Sequence, residues 1–410
     1  MNILILTPYL PYPLNSGGAQ GVFNMIDNLR QKHHFTMVIS QGSEYSPENI
    51  DTLRKLWPEV DIIYYPLWQQ MLYPPFVYER SRRVLLKKLA PNSHRLAVEM
   101  AVRPYGEWFS PHHVAFVRKL IKEKNIDLVQ VEFYECLPWS SHLPQDVKKI
   151  FIHHELGFVR KARLLKEVAL TPKEQQQLEA SKQREFADLE QYDAVVTVTA
   201  TDKAILEREG LKTPVYVSTL AINTLSFPYS VNPGQLTFVG GYGHLPNKEG
   251  IDWFVAHVSP LLRNEHLGLS LIGKSWPESY TYSSGVAINL RGFVKELSDV
   301  ALGTIMVVPI LSGSGMRMKI LEAAAMSLPI VTTTVGVEGL DFEDGESCLV
   351  ADSPEDFAQA VKQLCHDEQL RRKLGENANK VFQEKYHPAV LAGVRDRIYN
   401  NVVGVQQQPL

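Results

Sequence analysis

Apolar runs alternate with amphipathic stretches along most of the chain. Asn2–Leu10 is apolar almost throughout and ends in a turn, which is typical of a parallel strand buried on both faces. In the next stretch Val22, Ile26 and Leu29 recur at helical spacing, and His34–Ser40 predicts a second strand. Strand, glycine turn, helix and strand in this order predict the start of a Rossmann-like half.

The same rhythm continues through the first half of the chain. Three further runs predict strands: Asp127–Phe133, Lys148–Glu155 and Tyr192–Ala200. Between them a polar helix is predicted to begin after Thr171, with Pro172 at its first position and Glu174 placed for a capping box. These elements indicate a doubly wound α/β domain.

A second series of elements begins after residue 234. Strands are predicted over Gln235–Gly243, Leu269–Ser275, Val286–Val294, Gly303–Ile310, Leu328–Gly336 and Ser347–Asp352. Helices are predicted over Asn247–Leu262, from near Met316, and from Ser353 to Tyr386. We predict two Rossmann-like domains facing each other across a cleft, at residues 1–218 and 235–410, with a linker at 219–234. The last helix is a candidate for packing back on the first domain.

Length and composition agree with this architecture. The chain has 410 residues, of which 45% are hydrophobic and 21% charged, and this length indicates two domains of roughly 150–250 residues each. A net charge of −3 gives no indication of a polyanionic partner, so no nucleic-acid binding is expected. Cys136, Cys348 and Cys365 lack metal-ligand spacing and are expected to be buried thiols in a reducing compartment.

Neither a signal peptide nor a transmembrane segment is predicted. The N-terminus lacks a basic region and a cleavage site, and no apolar run reaches the ~18 residues that span a bilayer, so a cytoplasmic protein is expected. Tyr78–Pro91 places five basic residues around leucines and a valine. This segment fits either peripheral contact with anionic lipid on the inner face of the membrane or a solvated helix with a core-facing stripe.

The strongest chemical signal lies in Gly313–Gly339. A loop containing Gly313 and Gly315 follows the predicted strand Gly303–Ile310 and leads into a helix that begins near Met316. Ligands of open α/β sheets bind at the carboxyl ends of strands. The unpaired N–H groups of a helix N-terminus attract anions, and glycines let the backbone approach them. The loop therefore predicts an anion site.

Two cations and a carboxylate define the ligand further. Arg317 can bind two phosphate oxygens in a fork, and Lys319 adds a mobile point charge. Glu322 lies on the same helical face as Lys319 and can accept hydrogen bonds from a vicinal diol, as acidic residues do from ribose. The combination indicates a diphosphate joined to a ribose. The alternative is an exposed helix on which Glu322 pairs with Lys319 or Arg317.

With these residues in place, the chain resembles the retaining, nucleotide-sugar-dependent glycosyltransferases of family four, which have the GT-B fold. Glu322–Leu340 is similar to the second half of the family signature, and Glu322 falls on its second glutamate. Ser314 stands where the family has its first glutamate, so the choice of sugar cannot be transferred from the family. One branch of the family carries a similar glycine-rich loop with Arg317 and Lys319 in matching places.

The resemblance extends to other loops of the second domain. Phe238–Phe254 is similar to the family segment that precedes its first helix in this domain. Gly241 replaces an arginine with which many members hold the diphosphate, and Lys248 matches their lysine loosely, so we expect Arg317 and Lys319 to take over that role. The resemblance implies these donor-binding residues: Gly17, Gly18, Gly240, Gly241, Asn247, Gly292, Phe293, Gly313, Ser314, Gly315, Met316, Arg317, Lys319 and Glu322.

In the first domain two segments match the family less closely. Gly17 and Gly18 lie between a strand and a helix, where the family places a loop over the sugar and diphosphate. His153, His154 and Glu155 follow another strand, but a metal site is disfavoured because neighbours on an extended chain point to opposite sides. The resemblance implies that His154, or His153, contacts the sugar and that Glu155 binds the acceptor or assists proton removal.

The resemblance implies an enzyme that moves a hexosyl group from a nucleotide-diphosphate sugar to an acceptor hydroxyl with retention of configuration. Its catalytic residues would be His154, Glu155, Arg317 and Lys319. No D-x-D is present, and Asp341–Glu346 indicates an acidic turn, so neither a metal nor a further cofactor is expected. The acceptor would be a saccharide, a lipid-linked or another hydroxyl compound in cell-surface polysaccharide, glycolipid or glycoconjugate synthesis. The alternatives are a nucleotide-sugar epimerase of the same fold, a catalytically silent nucleotide-sugar binder and an unrelated nucleotide-binding protein.

Overall fold

Two compact units make up the protein. The structure is a computed structural model, and it describes residues 1–14, 16–40, 46–65, 73–74, 77–78, 81, 98, 102, 109–166, 168–222, 227–232, 234–282, 285–313 and 316–404. The first unit comprises 1–220 with 391–410, and the second comprises 221–390. The division along the chain falls just inside the linker predicted at 219–234, and the last 20 residues belong to the first unit.

The first unit is built on a parallel sheet. Its strands are β1 (Asn2–Thr7), β2 (His34–Ser40), β3 (Asp61–Tyr65), β4 (Leu128–Glu132), β5 (Lys148–His153), β6 (Ala194–Thr197) and β7 (Val215–Val217). Their order is β3-β2-β1-β4-β5-β6-β7, and every pair is parallel. Ile3 and Ile5 join the apolar cluster on one face, whereas Leu4 and Leu6 join that on the other. Burial on both faces explains the continuous apolar run of β1.

The helices of this unit follow the strands as crossovers. They are α1 (Gly17–Leu29), α2 (Pro47–Leu56), α3 (Pro111–Glu123), α4 (Gly157–Leu164), α5 (Pro172–Leu189) and α6 (Ala200–Arg208), with a 3₁₀ segment at Tyr134–Ser141. The predicted capping box is confirmed, because the Thr171 side chain accepts from the Glu174 N–H and the Glu174 carboxylate accepts from the Thr171 N–H. The helix therefore begins at Pro172, as predicted.

The second unit repeats the design. Its strands are β8 (Gln235–Val239), β9 (Gly268–Ile272), β10 (Ala287–Gly292), β11 (Ile305–Val308), β12 (Ile330–Thr332) and β13 (Leu349–Val350). Their order is β10-β9-β8-β11-β12-β13, again with parallel pairs. A large apolar cluster surrounds this sheet.

Helices of varied length surround the second sheet. They are α7 (Leu245–Trp253), α8 (Ser298–Ala301), α9 (Met318–Ala325), α10 (Thr334–Val337), α11 (Pro354–His366) and α12 (Glu368–Val381), with π-helical turns at Phe254–Val258 and Phe382–Tyr386 and 3₁₀ turns at Ser259–Leu262 and Glu278–Tyr282. The final helix, α13 (Pro388–Val403), packs Ala392, Ile398 and Tyr399 into a cluster of the first unit. This helix is the one predicted from the sequence as a candidate for packing on the first domain.

The predicted fold class, two parallel doubly wound α/β domains, is confirmed, but several predicted boundaries are wrong. The predicted strand 328–336 ends at Thr332, because the Thr333 hydroxyl caps α10 by accepting from the Gly336 N–H. The predicted helix 353–386 is split at Asp367, whose side chain caps α12. Strands β3 and β7 were not predicted. Nearly all of the basic segment at 78–91 lies outside the described residues.

No helix in the described part of the chain is both long and apolar enough to span a bilayer.

Candidate functional site

In the second unit the strand order reverses between β8 and β11. In open α/β sheets the ligand crevice lies outside the carboxyl ends of the strands at such a reversal. The loop after β8 carries Gly240 and Gly241, and the loop after β11 leads to α9. The glycine-rich motif predicted from the sequence thus lies at the sheet edge where α/β ligands bind.

Two glycines, which follow β8 and β9, lie too close to their neighbours to carry side chains. Gly240 has φ +152°, and a Cβ there would lie 2.4 Å from the Asn247 amide nitrogen. Gly273, with φ +150°, would place a Cβ 2.3 Å from the Gly240 carbonyl oxygen. The Trp276 indole N–H donates to that same oxygen at 2.8 Å. The backbone at this edge is therefore held in one shape, which glycine alone permits.

Lys319 supports the loop after β8 through Asn247. Its Nζ donates to Asn247 Oδ1 at 2.8 Å, and Asn247 Nδ2 in turn donates to the Gly241 carbonyl oxygen at 3.1 Å. Burial, and then the positive charge of Arg317, lower the pKa of Lys319 to about 7, while Glu322 opposes both. A lysine that gains a nearby anion is then expected to recover its proton.

Arg317 closes the loop between β11 and α9. The residue is only 7% exposed, and its Nη2 donates to the carbonyl oxygen of Gly313 at 3.1 Å. Gly313 has φ +111°, a conformation that favours glycine. Arg317 and Lys319 are thus both brought to the start of one helix, where the backbone N–H groups also attract an anion.

The helix was predicted to begin near Met316, but it begins at Met318. Met316 precedes it, partly buried against the core of the unit. Ser314 and Gly315 lie outside the described residues, so their predicted roles stay predictions. Glu322 is half-buried on α9, close enough to Lys319 to favour its charged form.

An exposed aromatic ring stands at the end of β10. Gly292 adopts φ +64°, and Phe293, which follows it, is 57% exposed. The Nζ of Lys274 lies 5.5 Å from the centroid of the Phe293 ring. A bare aromatic face with a cation beside it could stack on a nucleotide base, and the role predicted for Gly292 and Phe293 stays a prediction.

In the first unit the strand order reverses between β1 and β4. Gly17 and Gly18 form the first turn of α1, not a loop before it, and Ser16 caps the helix by accepting from Ala19 N–H. A Cβ on Gly18 would lie 2.8 Å from the Phe133 ring. Gly18 therefore makes room for an aromatic side chain at the end of β4.

Phe133 connects this helix to the predicted histidine. Its backbone has φ +67°, which is strained for a residue with a bulky side chain. Its ring stacks on His154, with centroids 4.0 Å apart and planes 6° from parallel. Strained backbone of this kind concentrates at functional sites, so Phe133 and His154 mark a candidate site within the first unit.

The two adjacent histidines differ in their surroundings. Nε2 of His154 lies 2.6 Å from Glu132 Oε2, and the imidazole is 12% exposed. His153 pairs with Glu185 at 3.1 Å and is 0% exposed, so His154 is the more accessible of the two, and the sugar contact predicted for it stays a prediction. Glu155 is 36% exposed and lies 3.4 Å from Arg160, which is compatible with the predicted contact with an acceptor.

No prediction from the sequence includes Gln130, Glu132 or Phe133 among the site residues. All three follow from the run Asp127–Phe133, where two polar residues alternate with valines in an otherwise apolar strand. Polar side chains in a parallel strand buried on both faces are unusual, and this was the available signal. Within the described ranges, no group of three or more His, Cys, Asp or Glu side chains could hold a metal ion.

Comparison with known families bears on the second unit. Residues 233–367 match the family model of the glycosyl transferases group 1. An uncharacterized 44.6 kDa protein in the cps region of Klebsiella pneumoniae is 26% identical over 164 residues, 37% of this chain and 42% of that protein. An uncharacterized glycosyltransferase of Methanocaldococcus jannaschii is 36% identical over 98 residues, 23% of this chain and 27% of that protein. The chain spans less than half of the length of either relative.

Solved structures match over nearly the whole chain. The sucrose-phosphate synthase of Thermosynechococcus elongatus has a TM-score of 0.67 at 16% identity and covers 99% of this chain and 100% of its own. The Anabaena protein HepE, in complex with UDP and glucose, has a TM-score of 0.61 at 11% identity, with 99% and 100% covered. These matches show the GT-B fold, and residues 233–367 match the model of the group 1 glycosyl transferases.

Proposed function

We propose that the protein is a glycosyltransferase that takes a hexosyl group from a nucleotide-diphosphate sugar, with retention of configuration, in cell-surface polysaccharide or glycoconjugate synthesis. The observation that carries the proposal is the joint placement of Arg317, Lys319 and two glycine loops at the crevice beside β8 and β11. This crevice lies within the segment that matches the group 1 glycosyl transferases. The relative in the cps region and the neighbour bound to UDP and glucose support it.

The cations would act on the leaving group. When the bond between the anomeric carbon and the diphosphate breaks, the nucleoside diphosphate gains negative charge. Arg317, Lys319 and the N-terminus of α9 are fixed in place before the reaction, so they stabilise this charge without reorganising. In this scheme the protein supplies the positive charge itself and needs no metal.

Transfer would occur on the face that the diphosphate leaves. The acceptor oxygen bonds to the anomeric carbon as the carbon–phosphate-oxygen bond breaks, and the acceptor proton passes to the departing phosphate. A retaining glycosidase instead needs a nucleophile and an acid about 5 Å apart, and the sequence identifies no such pair. His154 would contact the transferring sugar, and Glu155 the acceptor, which would be a saccharide or a lipid-linked hydroxyl compound.

A thermal-shift screen tests this proposal first. We expect one nucleoside diphosphate among UDP, GDP, ADP, TDP and CDP to raise the melting temperature without added metal, because a ligand that binds only the native state stabilises it. At 100 times its Kd the gain is about 2.7 kcal/mol. The matching sugar nucleotides then enter a turnover assay with oligosaccharide acceptors. If no diphosphate raises the melting temperature, the donor site is refuted. Conversion of the sugar nucleotide to its epimer without transfer to an acceptor would indicate an epimerase.

Replacing Glu322 with alanine tests the ribose contact. We expect affinity for the diphosphate to fall roughly tenfold, about 1.4 kcal/mol, the scale of a hydrogen bond to a charged group. The matched control is the 2′-deoxy form of the same diphosphate, for which the loss should shrink because the diol is incomplete. Isothermal titration calorimetry measures both. Equal losses for the ribose and deoxyribose ligands would assign Glu322 to the support of Lys319 instead.

A further inference from the structure

A chain of buried polar side chains runs behind His154 in the first unit. Gln130 and Glu132 point into it from β4, and Arg395 and Tyr399 reach it from α13. Gln130 and Glu132 are at most 1% exposed. Buried polar groups must find partners, so the hydrogen bonds along this chain determine which atom of each side chain faces which.

The direction of each hydrogen bond follows from the arginine end. Arg395 Nη1 lies 3.4 Å from one amide atom of Gln130, and the guanidinium can only donate. That atom is therefore Oε1, and it also accepts from the Tyr399 hydroxyl at 2.5 Å. The Gln130 amide nitrogen is then left to face Glu132, where it donates to Oε1 at 2.5 Å. A reversed amide would set an oxygen against the carboxylate.

The Glu132 carboxylate in turn determines which ring nitrogen of His154 carries the proton. Glu132 Oε1 accepts from the Gln130 amide. An ionised carboxylate has no proton to donate, so its Oε2 accepts from His154. His154 must therefore carry its proton on Nε2. Nδ1 of His154 is buried with no hydrogen-bond partner in the described part of the chain, and a proton there would be a buried, unpaired donor. Arg395, itself buried, supplies a positive charge beside the chain.

We propose that Glu132 is a positioning residue for His154, and that the chain Tyr399–Gln130–Glu132 locks this imidazole as the neutral Nε2–H tautomer. The stacked Phe133 ring fixes the plane of the imidazole, and Glu132 fixes its rotation in that plane. The relation matches that of a carboxylate that orients a catalytic imidazole. The assignment of His154 to sugar transfer rests on the proposed function, but the tautomer does not.

Side-chain ¹⁵N NMR of the full-length protein tests the tautomer without any substrate. The signals of His154 are assigned by their loss in His154→Ala. We expect a pyrrole-type Nε2 and a pyridine-type Nδ1 in the wild type, and a population of the other tautomer in Glu132→Gln, whose amide can donate to Nε2. Glu185→Gln is the matched control, because Glu185 pairs with the adjacent His153. It should change the signals of His153 and leave those of His154 in place.

Kinetics separates positioning from general support of the fold. In Glu132→Gln we expect kcat to fall ~10- to 100-fold while KM for the donor changes less than about threefold. The same substitution should have no further effect in a His154→Ala background, because both would remove one function. If Glu132→Gln fails to fold, Tyr399→Phe keeps the ring and removes the donor to Gln130, and it should perturb the His154 signals more weakly.

Three outcomes would overturn the proposal. The first is an Nδ1–H or doubly protonated His154 in the wild type, and the second is unchanged His154 signals in both Glu132→Gln and Tyr399→Phe. The third is a loss of kcat in the Glu132→Gln, His154→Ala double variant that equals the product of the two single losses. A wild-type protein that turns over no donor would refute the proposed function alone, since the NMR result would still stand or fall by itself.

Discussion

Replacing Arg317 with alanine is expected to weaken binding of the nucleoside diphosphate by roughly 10- to 150-fold, which corresponds to about 1.5–3 kcal/mol. The guanidinium is buried at the start of α9, so its attraction for a diphosphate is screened less than that of a surface arginine. Its bond to the Gly313 carbonyl also shapes the loop that precedes the helix. Alanine removes both the charge and the loop contact.

Two further variants separate these effects. Arg317→Lys keeps a charge but loses the planar fork that grips two oxygens, so an intermediate loss is expected. Arg372→Ala is the matched control, because Arg372 lies exposed on another helix of the same unit, beside Glu376, and its removal should leave Kd unchanged. Calorimetry with the diphosphate selected by the thermal-shift screen gives all three values. An unaltered Kd in Arg317→Ala would remove Arg317 from the donor site.

How far the sequence predicts this site depends on how local each part is. Gly313, Arg317, Lys319 and Glu322 lie within ten residues, so their short spacing alone places them in or just before the first turns of one helix. The sequence also predicts the crevice at the strand ends, because alternating strands and helices impose parallel sheets. These features need no knowledge of distant contacts.

Other parts of the candidate site depend on contacts that no local pattern encodes. Lys319 is predicted to bind the phosphate, which stays a prediction, whereas the structure shows it supporting the loop after β8 through Asn247, 72 residues away. Tyr399 reaches Gln130 across 269 residues, which requires α13 to pack on the first sheet. Parallel pairing of β4 and β5 brings Glu132 beside Ile152, and only then do Glu132 and His154 meet.

Some predicted strand ends are wrong for a related reason. Apolar runs continue past the last hydrogen-bonded pair of several strands, as at Val286–Val294, where β10 ends at Gly292 and Phe293 stands exposed. An apolar residue at the edge of a site and one in the core look alike in sequence. The structure distinguishes them because the loop after β10 turns at a left-handed glycine.

The protonation of Lys319 gives the second large effect. Burial, and then the charge of Arg317, lower its pKa from 10.5 to about 7. Between about pH 7 and pH 10.5 the unfolded chain therefore binds more protons at this lysine than the folded chain does. The contribution of Lys319 to the free energy of unfolding rises with pH through that window and is at its least favourable below it.

Ligand binding should respond in the opposite direction. A diphosphate beside Lys319 favours the charged amine and raises its pKa, so binding takes up a proton at any pH between the two pKa values. Affinity is then expected to fall by up to about tenfold per pH unit above pH 7. At pH 8 the terminal phosphate, with a second pKa of about 6, is already ionised, so proton uptake at that pH belongs to the protein.

Calorimetry at pH 8 in buffers of different ionisation enthalpy measures this uptake, which should approach one proton per bound diphosphate. Lys319→Met keeps the packing of the side chain but removes the titrating group, so it should bind more weakly, without proton uptake and without the pH dependence. Lys248→Met is the matched control, because the ion pair with Asp252 raises the pKa of Lys248 and keeps it charged throughout. Wild-type binding at pH 8 without proton uptake would show that the anion does not lie against Lys319, and that the lysine serves the loop after β8 through Asn247 alone.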